Sequence, residues 1–218
     1  MASDPLLDRL KALDVCAVSD ALDRLGLPAS VSGIEPKTAR QRIAGRVTTV
    51  KFAAGSKTGA RHACTAAVDA GEPGGIVVVE QRTGVMAAGW GGILSRAART
   101  RGLSGAIVDG PARDIDEALE VGFPVFARGC TARTARGRIY EADTGCPVVI
   151  GEVTVEPGDY AIADSSGVAF IRPDDLEEVL KTAEFIAARE AAMARDVEAG
   201  QPVSEVMGLS YEHMLRKT

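Results

Sequence analysis

Apolar positions near the start of the chain recur at the three- and four-residue spacing of one helix face. They are Val15, Val18, Leu22 and Leu25. Gly26 follows directly, and glycine is the residue type that most often ends a helix. We therefore predict a helix that ends at Gly26, a loop over residues 28–36 and a strand rich in Val and Thr over residues 46–53.

The middle of the chain alternates helical patterns with short apolar runs. Residues 76–79 are continuously apolar, which is typical of a strand covered on both faces. In chain order we predict a helix over 60–70, strands over 76–79 and 85–88, a helix over 93–101, a strand over 106–109, a helix over 115–121 and a strand from 123. Gly110-Pro111 predicts a turn after the strand over 106–109. This alternation indicates the α/β class.

After residue 138 the pattern changes to short strands separated by Pro and Gly turns. We predict these strands over 148–155, 160–163 and 168–171. Pro173 then opens a long helix to about residue 199, because proline is favoured at the first helical position. No linker divides the sequence, so we predict one domain over residues 1–218. Its helical C-terminal arm, residues 173–218, is expected to pack on a neighbouring subunit.

The composition argues against two classes of partner. The net charge is −5 and only 4% of the residues are aromatic, whereas nucleic-acid binders usually have basic surfaces and stacking aromatic residues. No apolar run is long enough to cross a bilayer, and the first residues contain no signal-peptide core. We therefore expect a cytoplasmic protein with no nucleic-acid partner and no membrane partner.

The cysteines and histidines lack the spacing of a zinc site. No CxxC pair occurs among the four cysteines, which are Cys16, Cys64, Cys130 and Cys146. We predict four free and mostly buried thiols, as expected in a reducing compartment. His62 is one of only two histidines, and we predict a packed or half-exposed residue on the helix over 60–70, with a catalytic role as the alternative.

The segment from residue 91 to residue 114 contains the strongest candidate chemistry. Gly91 and Gly92 open a predicted helix, and free N–H groups at a helix start attract anions. Arg113 can bind a carboxylate through two parallel hydrogen bonds, and Asp114 can hold a hard divalent metal. Together these features suit an acidic substrate whose carbonyl oxygen chelates the metal.

Plainer interpretations compete in the same region. Asp114 could simply cap the helix over 115–121, because Asp is a favoured N-cap residue. Asp109 could be a second carboxylate of the site or could bond the turn that follows it. The glycines over 89–92 follow a strand, but a dinucleotide fingerprint would need a third glycine where the chain has Leu94.

Several motifs together define a family resemblance. The central one is Gly91-Gly92-Ile93-Leu94, followed by eighteen residues, Arg113-Asp114, two residues and Glu117. Residues 19–26, 108–110 and 122–129 contain further matches. In these segments the chain resembles the 4-hydroxy-4-methyl-2-oxoglutarate aldolase family, which also contains the RraA-like regulators of ribonuclease E. The resemblance covers nearly the whole sequence.

The resemblance implies an α/β/β/α sandwich of the swivelling-domain type, assembled as a homotrimer or a hexamer with active sites between subunits. It implies that Asp114 binds a divalent cation, Mg²⁺ or Mn²⁺. Arg113 would bind the pyruvyl group of an oxo-acid substrate and stabilise its enolate. The substrate carboxylate would be received by the backbone amides of Gly91, Gly92, Ile93 and Leu94.

One position departs from the family pattern. The aldolases usually have Asp or Glu where this chain has Gly92, and that acid orders a metal-bound water for proton transfer. Glu190 from a neighbouring subunit could replace it, with Glu117 as a further carboxylate around the site, or the substrate could differ. If the missing acid limits proton transfer, Gly92→Asp should raise cleavage.

Two functions of different classes follow from the resemblance. The first is a metal-dependent lyase that cleaves a 4-hydroxy-4-methyl-2-oxoglutarate or 4-carboxy-4-hydroxy-2-oxoadipate type of acid, or decarboxylates oxaloacetate, through the same pyruvate enolate. The second is a non-catalytic RraA-like regulator that acts by binding a protein of the ribonuclease E type. Arg113, Asp114 and Glu117 favour the enzyme, because a pure binding protein does not need them.

Overall fold

The computed structural model describes residues 4–28, 30–38, 40–59 and 61–208. Its helices are α1 (Pro5–Ala12), α2 (Val15–Leu25), α3 (Thr65–Ala70), α4 (Gly92–Thr100), α5 (Ile115–Glu120), α6 (Leu176–Glu198) and α7 (Val203–Val206). Its strands are β1 (Glu35–Pro36), β2 (Ile43–Ala54), β3 (Ile76–Glu80), β4 (Gly105–Ala112), β5 (Val125–Cys130), β6 (Ile139–Thr144), β7 (Val148–Ile150), β8 (Val153–Val155), β9 (Tyr160–Asp164) and β10 (Gly167–Ile171).

Eight of the strands form one nearly closed sheet. Its order is β1-β5-β4-β3-β2-β9-β10, and β6 also pairs with β2. Strands β2 to β5 are parallel to one another, and the other pairs are antiparallel. The long strand β2 pairs first with β9 and then with β3 and β6, so it joins two halves of the sheet. The segment from Val31, which bridges Val168, to β1, which pairs with β5, connects the two edges.

The buried side chains form three clusters that separate four layers. The first lies between one half of the sheet and the helices α3, α4 and α5. The second lies between the other half and the helices α1, α2 and α6. The third lies between the two halves and includes the hairpin of β7 and β8. This arrangement confirms the predicted α/β/β/α class with a C-terminal helix.

Helix α2 illustrates how well the local signals at the start of the chain determine an element. The carboxylate of Asp14 accepts a hydrogen bond from the Ala17 amide at 2.8 Å and caps the helix start. At the other end Gly26 has φ = 69°, a left-handed conformation that favours glycine. The predicted helix and its end at Gly26 are therefore confirmed.

Two predictions near the candidate site are wrong. Residues 85–88 form no strand; they lie in the loop between β3 and α4, where the Gln81 amide donates to the Val85 carbonyl at 3.0 Å. Packing buries Ala87 and Ala88, whereas Val85 is half-buried and Met86 is exposed. Gly110-Pro111 makes no turn either, because β4 continues to Ala112 beside β5. A register shift after Val108 accommodates the proline, as is common at irregular strand positions.

The predicted helix over 60–70 is shorter than expected. Helix α3 begins only at Thr65, and Ala60 lies outside the described residues. Cys64 has φ = 65°, and a left-handed residue at this point separates the preceding loop from the helix. His62 therefore lies in a loop and not on a helix.

In the C-terminal half two observed elements also differ from the predicted ones. The strand predicted over 148–155 is a hairpin of β7 and β8, and Gly151 in its turn has φ = 59°. Pro173 does not start the long helix; it lies in a turn, and α6 begins at Leu176. Residues 209–218 of the predicted arm lie outside the described residues.

The first half of α6 belongs to the core of its own chain. It packs on α2 through Leu176, Val179, Leu180, Ala183 and Ile186. Phe185 and Val197 are exposed on the same helix. Contact with a neighbouring subunit thus stays a prediction for the exposed face and the second half of α6. Within the described residues no helix is long and apolar enough to cross a membrane.

The prediction of mostly buried cysteines is wrong. All four are free thiols, but only Cys64 is buried, and Cys146 is half-buried. Cys16 and Cys130 are exposed. Burial, followed by the negative charge of Glu141, raises the pKa of the Cys64 thiol well above its ordinary value. The buried thiol therefore stays protonated and unreactive.

Glu190 on α6 gives a testable pH dependence. Its pKa is raised first by burial and then by the negative charges of Asp20 and Asp14. A carboxyl whose pKa is raised by folding destabilises the fold once pH exceeds its ordinary value, because the unfolded chain ionises more easily. Glu190→Gln should therefore raise Tm at pH 7 by about 1–2 °C and have no effect near pH 3.5. Thermal unfolding at both pH values checks this; a lower Tm at pH 7 would contradict it.

Candidate active site

A cavity of about 240 Å³ lies at the carboxyl ends of β3 and β4, where the chain leaves the sheet. Ligands of open α/β sheets usually bind at this edge. The cavity is smaller than the ~300–1,000 Å³ typical of sites for drug-sized ligands, so it suits a small acid. Its lining residues are Phe52, His62, Ala63, Ala88, Gly89, Trp90, Gly91, Gly92, Ile93, Leu94, Arg113, Asp114, Thr134, Ala135 and Arg136.

Trp90 fixes the start of α4 beside the end of β4. Its indole N–H donates to the Ser95 hydroxyl at 2.9 Å, and its ring stacks on Phe123 with centroids 6.0 Å apart. The Trp90 carbonyl accepts a hydrogen bond from the Arg113 amide at 3.0 Å. A buried aromatic residue therefore ties the glycine-rich helix start to the Arg113-Asp114 pair.

The side chain of Asp114 distinguishes between the two roles considered for this residue, a helix cap of α5 and a ligand in the site. Asp114 lies at the N-cap position of α5, but its side chain makes no capping hydrogen bond. Its Oδ2 instead accepts a hydrogen bond from the Gly92 amide at 3.1 Å, at the start of α4. Its φ of 56° is left-handed, a conformation that non-glycine residues adopt at an energetic cost and that concentrates at functional sites.

Arg113 connects this carboxylate to the cavity. Its Nε lies 3.1 Å from both Asp114 oxygens. Among the described residues its two Nη groups have no hydrogen-bond partner. The side chains of Arg113 and Asp114 are 35% and 36% exposed. Because α4 has no side-chain cap at Gly91, the amides of Ile93 and Leu94 also remain available. Guanidinium and helix amides together form a receptor for a carboxylate.

The residues present fit a hard divalent cation held by Asp114. Within the described ranges no three His, Cys, Asp or Glu side chains are grouped closely enough to hold a metal. Magnesium, however, is often bound by one or two carboxylates completed by water and substrate oxygens. Asp114 Oδ1 accepts only the Arg113 bond, so a lone pair remains for a cation. The fit is that of Mg²⁺ or Mn²⁺ and not of a closed zinc site.

Glu117 occupies the room that a side chain at position 92 would need. A Cβ built on Gly92 would lie 1.9 Å from Glu117 Oε2 and 3.1 Å from the Asp114 Cβ. Glu117 is held there by Arg96, whose Nε donates to Oε1 at 2.5 Å. Glu117 therefore clamps α5 to α4 beside the site and does not line the cavity.

This contact changes the expectation for an acid at position 92. Gly92→Asp should lower stability by about 1–3 kcal/mol, the usual cost of overpacking, and should not raise cleavage. On a Glu117→Ala background the same Gly92→Asp change should cost much less, because the obstructing carboxylate is gone and the loss of its ion pair with Arg96 is common to both proteins. Thermal unfolding of the single and double variants measures this. A single variant as stable as wild type would show that Glu117 moves aside freely.

Glu190 and Asp109, the two other carboxylates considered for the site, do not line the cavity. Glu190 does not line the cavity of its own chain and is influenced by Asp20 and Asp14 on the α2 side. Asp109 is buried and forms ion pairs with Arg128 and Arg82. It also accepts a hydrogen bond from the Gly151 amide at 2.7 Å, so it anchors the β7–β8 hairpin.

The cavity also contains residues that the sequence analysis did not assign to it. Phe52 comes from β2, and Thr134 and Arg136 come from the loop between β5 and β6. His62 lies in the loop before α3, exposed and part of the lining. The one available signal was the arginine-rich stretch over residues 128–138 in an otherwise acidic chain.

The fold has close counterparts among solved structures. An uncharacterized protein from Pseudomonas syringae pv. tomato superposes with a TM-score of 0.84 at 26% identity, covering 94% of this chain and 98% of its own. Streptomyces coelicolor RraAS2, described as an unusual member of the RNase ES inhibitor RraA protein family, has a TM-score of 0.79 at 23% identity, covering 89% and 97%. These likenesses define the class of protein as an RraA-type α/β fold.

The sequence places the chain within a family. Residues 15–170 match the model of the RraA-like family, described as Aldolase/RraA, and the chain belongs to that family. A putative 4-hydroxy-4-methyl-2-oxoglutarate aldolase of Halalkalibacterium halodurans is 29% identical over 88% of each chain. Protein DlpA of Legionella pneumophila is 28% identical over 92% of this chain, which spans only 33% of the DlpA length.

Proposed function

We propose that the protein is a divalent-metal-dependent lyase that releases pyruvate from a small oxo-acid. The observation that carries the proposal is the side chain of Asp114, which makes no capping bond to α5 and instead lies at the α4 start beside Arg113. The relatives named as putative 4-hydroxy-4-methyl-2-oxoglutarate aldolases support a lyase within the RraA-like family. The likeness to RraA inhibitors at 23% identity supports only the shared fold.

Substrate binding would use the groups left available around the cavity. The two Nη groups of Arg113 would hold the pyruvyl end, where a planar guanidinium matches a carboxylate. The amides of Ile93 and Leu94 would bind the same carboxylate at the positive end of α4. The apolar rings of Phe52 and Trp90 in the lining would exclude water from the reacting carbons.

The bond-breaking step leaves negative charge on the pyruvyl oxygen. In a 4-hydroxy-2-oxo acid, loss of the hydroxyl proton forms a new C4 carbonyl as the C3–C4 bond breaks. The electron pair of that bond moves toward C2 and gives the enolate of pyruvate, which then takes a proton at C3. In oxaloacetate the same bond breaks with loss of CO₂, so one site can catalyse both reactions. Arg113 would stabilise the enolate through its positive charge.

Asp114 would hold the cation next to Arg113, together with water and the substrate. When bound, the cation supplies positive charge that stabilises the developing enolate oxygen. Asp114 is itself oriented by the Gly92 amide and by Arg113 Nε, so its carboxylate is positioned before substrate binds. The proposed assembly is a homotrimer or hexamer, whose contacts would cover exposed apolar residues such as Met86 and Ile93 near the cavity.

A substrate panel tests the proposal. The purified protein with Mg²⁺ should release pyruvate from 4-hydroxy-4-methyl-2-oxoglutarate, from 4-carboxy-4-hydroxy-2-oxoadipate or from oxaloacetate, detected by a coupled dehydrogenase assay. Arg133→Gln serves as a control, because Arg133 is exposed in the neighbouring loop and does not line the cavity. Release from none of the three acids would reject the lyase and leave the regulator hypothesis.

A further inference from the structure

The cavity lacks an obvious base for aldol cleavage. Position 92 is a glycine and offers no carboxylate, and Glu117 beside it is tied to Arg96. Among the described residues that line the cavity Asp114 is the only carboxylate, and it is engaged with Arg113 and the Gly92 amide. Some other group must take the hydroxyl proton.

Among the described residues of the lining, His62 is the one other side chain of a type that serves as a general base in proteins. The other titratable groups in the lining are the guanidiniums of Arg113 and Arg136, which stay protonated. Imidazole is the side chain best suited to proton transfer near neutrality. His62 is therefore the candidate for the base that aldol cleavage requires at this site.

The loop that contains His62 is exposed, yet several hydrogen bonds hold it in place. Cys64 is left-handed, and with Asp114 it is one of two such non-glycine residues within the described ranges. The Cys64 amide donates to Glu141 Oε2 at 2.6 Å, and its thiol donates to the Gly89 carbonyl at 3.5 Å. The hydroxyl of Thr65 donates to the His62 carbonyl at 2.7 Å. The strained residue and its bonds fix the loop against the cavity wall.

The hydrogen bond of the His62 ring determines which nitrogen is free. Nδ1 lies 3.3 Å from the Ala63 carbonyl oxygen, which can only accept a hydrogen bond. This contact favours the tautomer that carries the hydrogen on Nδ1, in which the Nε2 of the neutral ring keeps its lone pair. Among the described residues Nε2 has no partner. The neutral imidazole thus presents a basic nitrogen available to substrate.

We propose that His62 is the catalytic base of aldol cleavage, an inference that rests on the proposed lyase function. Nε2 takes the proton of the C4 hydroxyl, the oxygen electrons form the C4 carbonyl, and the C3–C4 pair becomes the pyruvate enolate. The imidazolium then returns the proton to C3, which gives pyruvate and a second oxo compound and restores neutral His62. The histidine thereby supplies a base that neither Gly92 nor the engaged Asp114 offers.

A comparison of two substrates distinguishes a catalytic base at His62 from a residue that only binds substrate. Aldol cleavage needs a base for the hydroxyl proton, whereas decarboxylation of oxaloacetate has no such proton to remove and its enolate can take the C3 proton from water. His62→Gln should therefore lower kcat for the 4-hydroxy-2-oxo acid by about a hundredfold, within the usual range for general base catalysis. The same variant should change oxaloacetate decarboxylation by no more than about threefold. Arg61→Gln is the matched control, since Arg61 is exposed in the same loop and outside the lining.

Chemical rescue gives a second readout that a structural role would not produce. Added imidazole should restore part of the cleavage activity of His62→Ala, because the free base can enter the vacated space. Aldol cleavage by His62→Gln at the wild-type rate would overturn the inference, as would a parallel loss of both reactions without rescue. A wild-type protein that releases pyruvate from neither substrate would overturn the lyase proposal itself and this inference with it.

Discussion

Replacing Arg113 by lysine is expected to lower kcat/KM for pyruvate release about a hundredfold, nearly as much as replacing it by alanine. In the proposed site Arg113 would serve two partners at once, because Nε bonds the Asp114 carboxylate at 3.1 Å and both Nη groups would be left for substrate. Lysine is a point charge on a flexible stem and cannot bond both. Loss of one charge-assisted hydrogen bond worth about 1.5–3 kcal/mol accounts for a change of roughly this size.

Steady-state kinetics of the lysine, alanine and wild-type proteins measure this effect. Arg133→Lys is the matched control and should keep wild-type kinetics, since Arg133 is exposed and outside the cavity lining. Equal Tm values for the two Arg113 variants and wild type would show that folding is preserved. Wild-type kinetics in Arg113→Lys would remove Arg113 from the proposed site.

Asp114→Asn is expected to have the largest effect of any single change, a loss of about a thousandfold in kcat. Asparagine tolerates the left-handed backbone of this position and can still accept the Gly92 hydrogen bond through its amide oxygen. The variant therefore keeps the local fold and removes only the negative charge. Alanine would be a poorer test, because it would lose the hydrogen bond as well.

Titration calorimetry with Mn²⁺ gives the direct readout for Asp114. The asparagine variant should show no measurable binding under conditions in which wild type binds. Asp116→Asn, an exposed carboxylate two residues further along the chain, should bind Mn²⁺ as wild type does. Wild-type affinity in Asp114→Asn would mean that the cation is held elsewhere.

The main parts of the candidate site could be predicted from the sequence because short-range rules bring them together. The Arg113-Asp114 pair directly follows β4, the glycine-rich helix start comes after β3 and a loop, and parallel strands end at the same edge of the sheet. The sequence did not reveal that β4 continues through Gly110-Pro111, since a register shift beside β5 is a property of the pairing. A local turn signal was overridden by the neighbouring strand.

The rest of the cavity depends on contacts that are distant in the chain. His62 reaches the lining because Cys64 is left-handed and bonded to Glu141 and Gly89, none of which a helical pattern indicates. The conflict between Gly92 and Glu117 likewise appears only when α4 and α5 are packed together. Both depend on backbone geometry and tertiary packing, which residue spacing does not encode.

Metal dependence of pyruvate release tests the central claim most directly. The protein is first stripped with EDTA, and pyruvate formation from 4-hydroxy-4-methyl-2-oxoglutarate and oxaloacetate is then followed as Mg²⁺ or Mn²⁺ is added, with Asp114→Asn in parallel. We predict no release from the stripped protein, recovery with either cation and no recovery in the variant. Full release from the stripped protein, or equal recovery in Asp114→Asn, would contradict a metal-dependent lyase centred on Arg113 and Asp114.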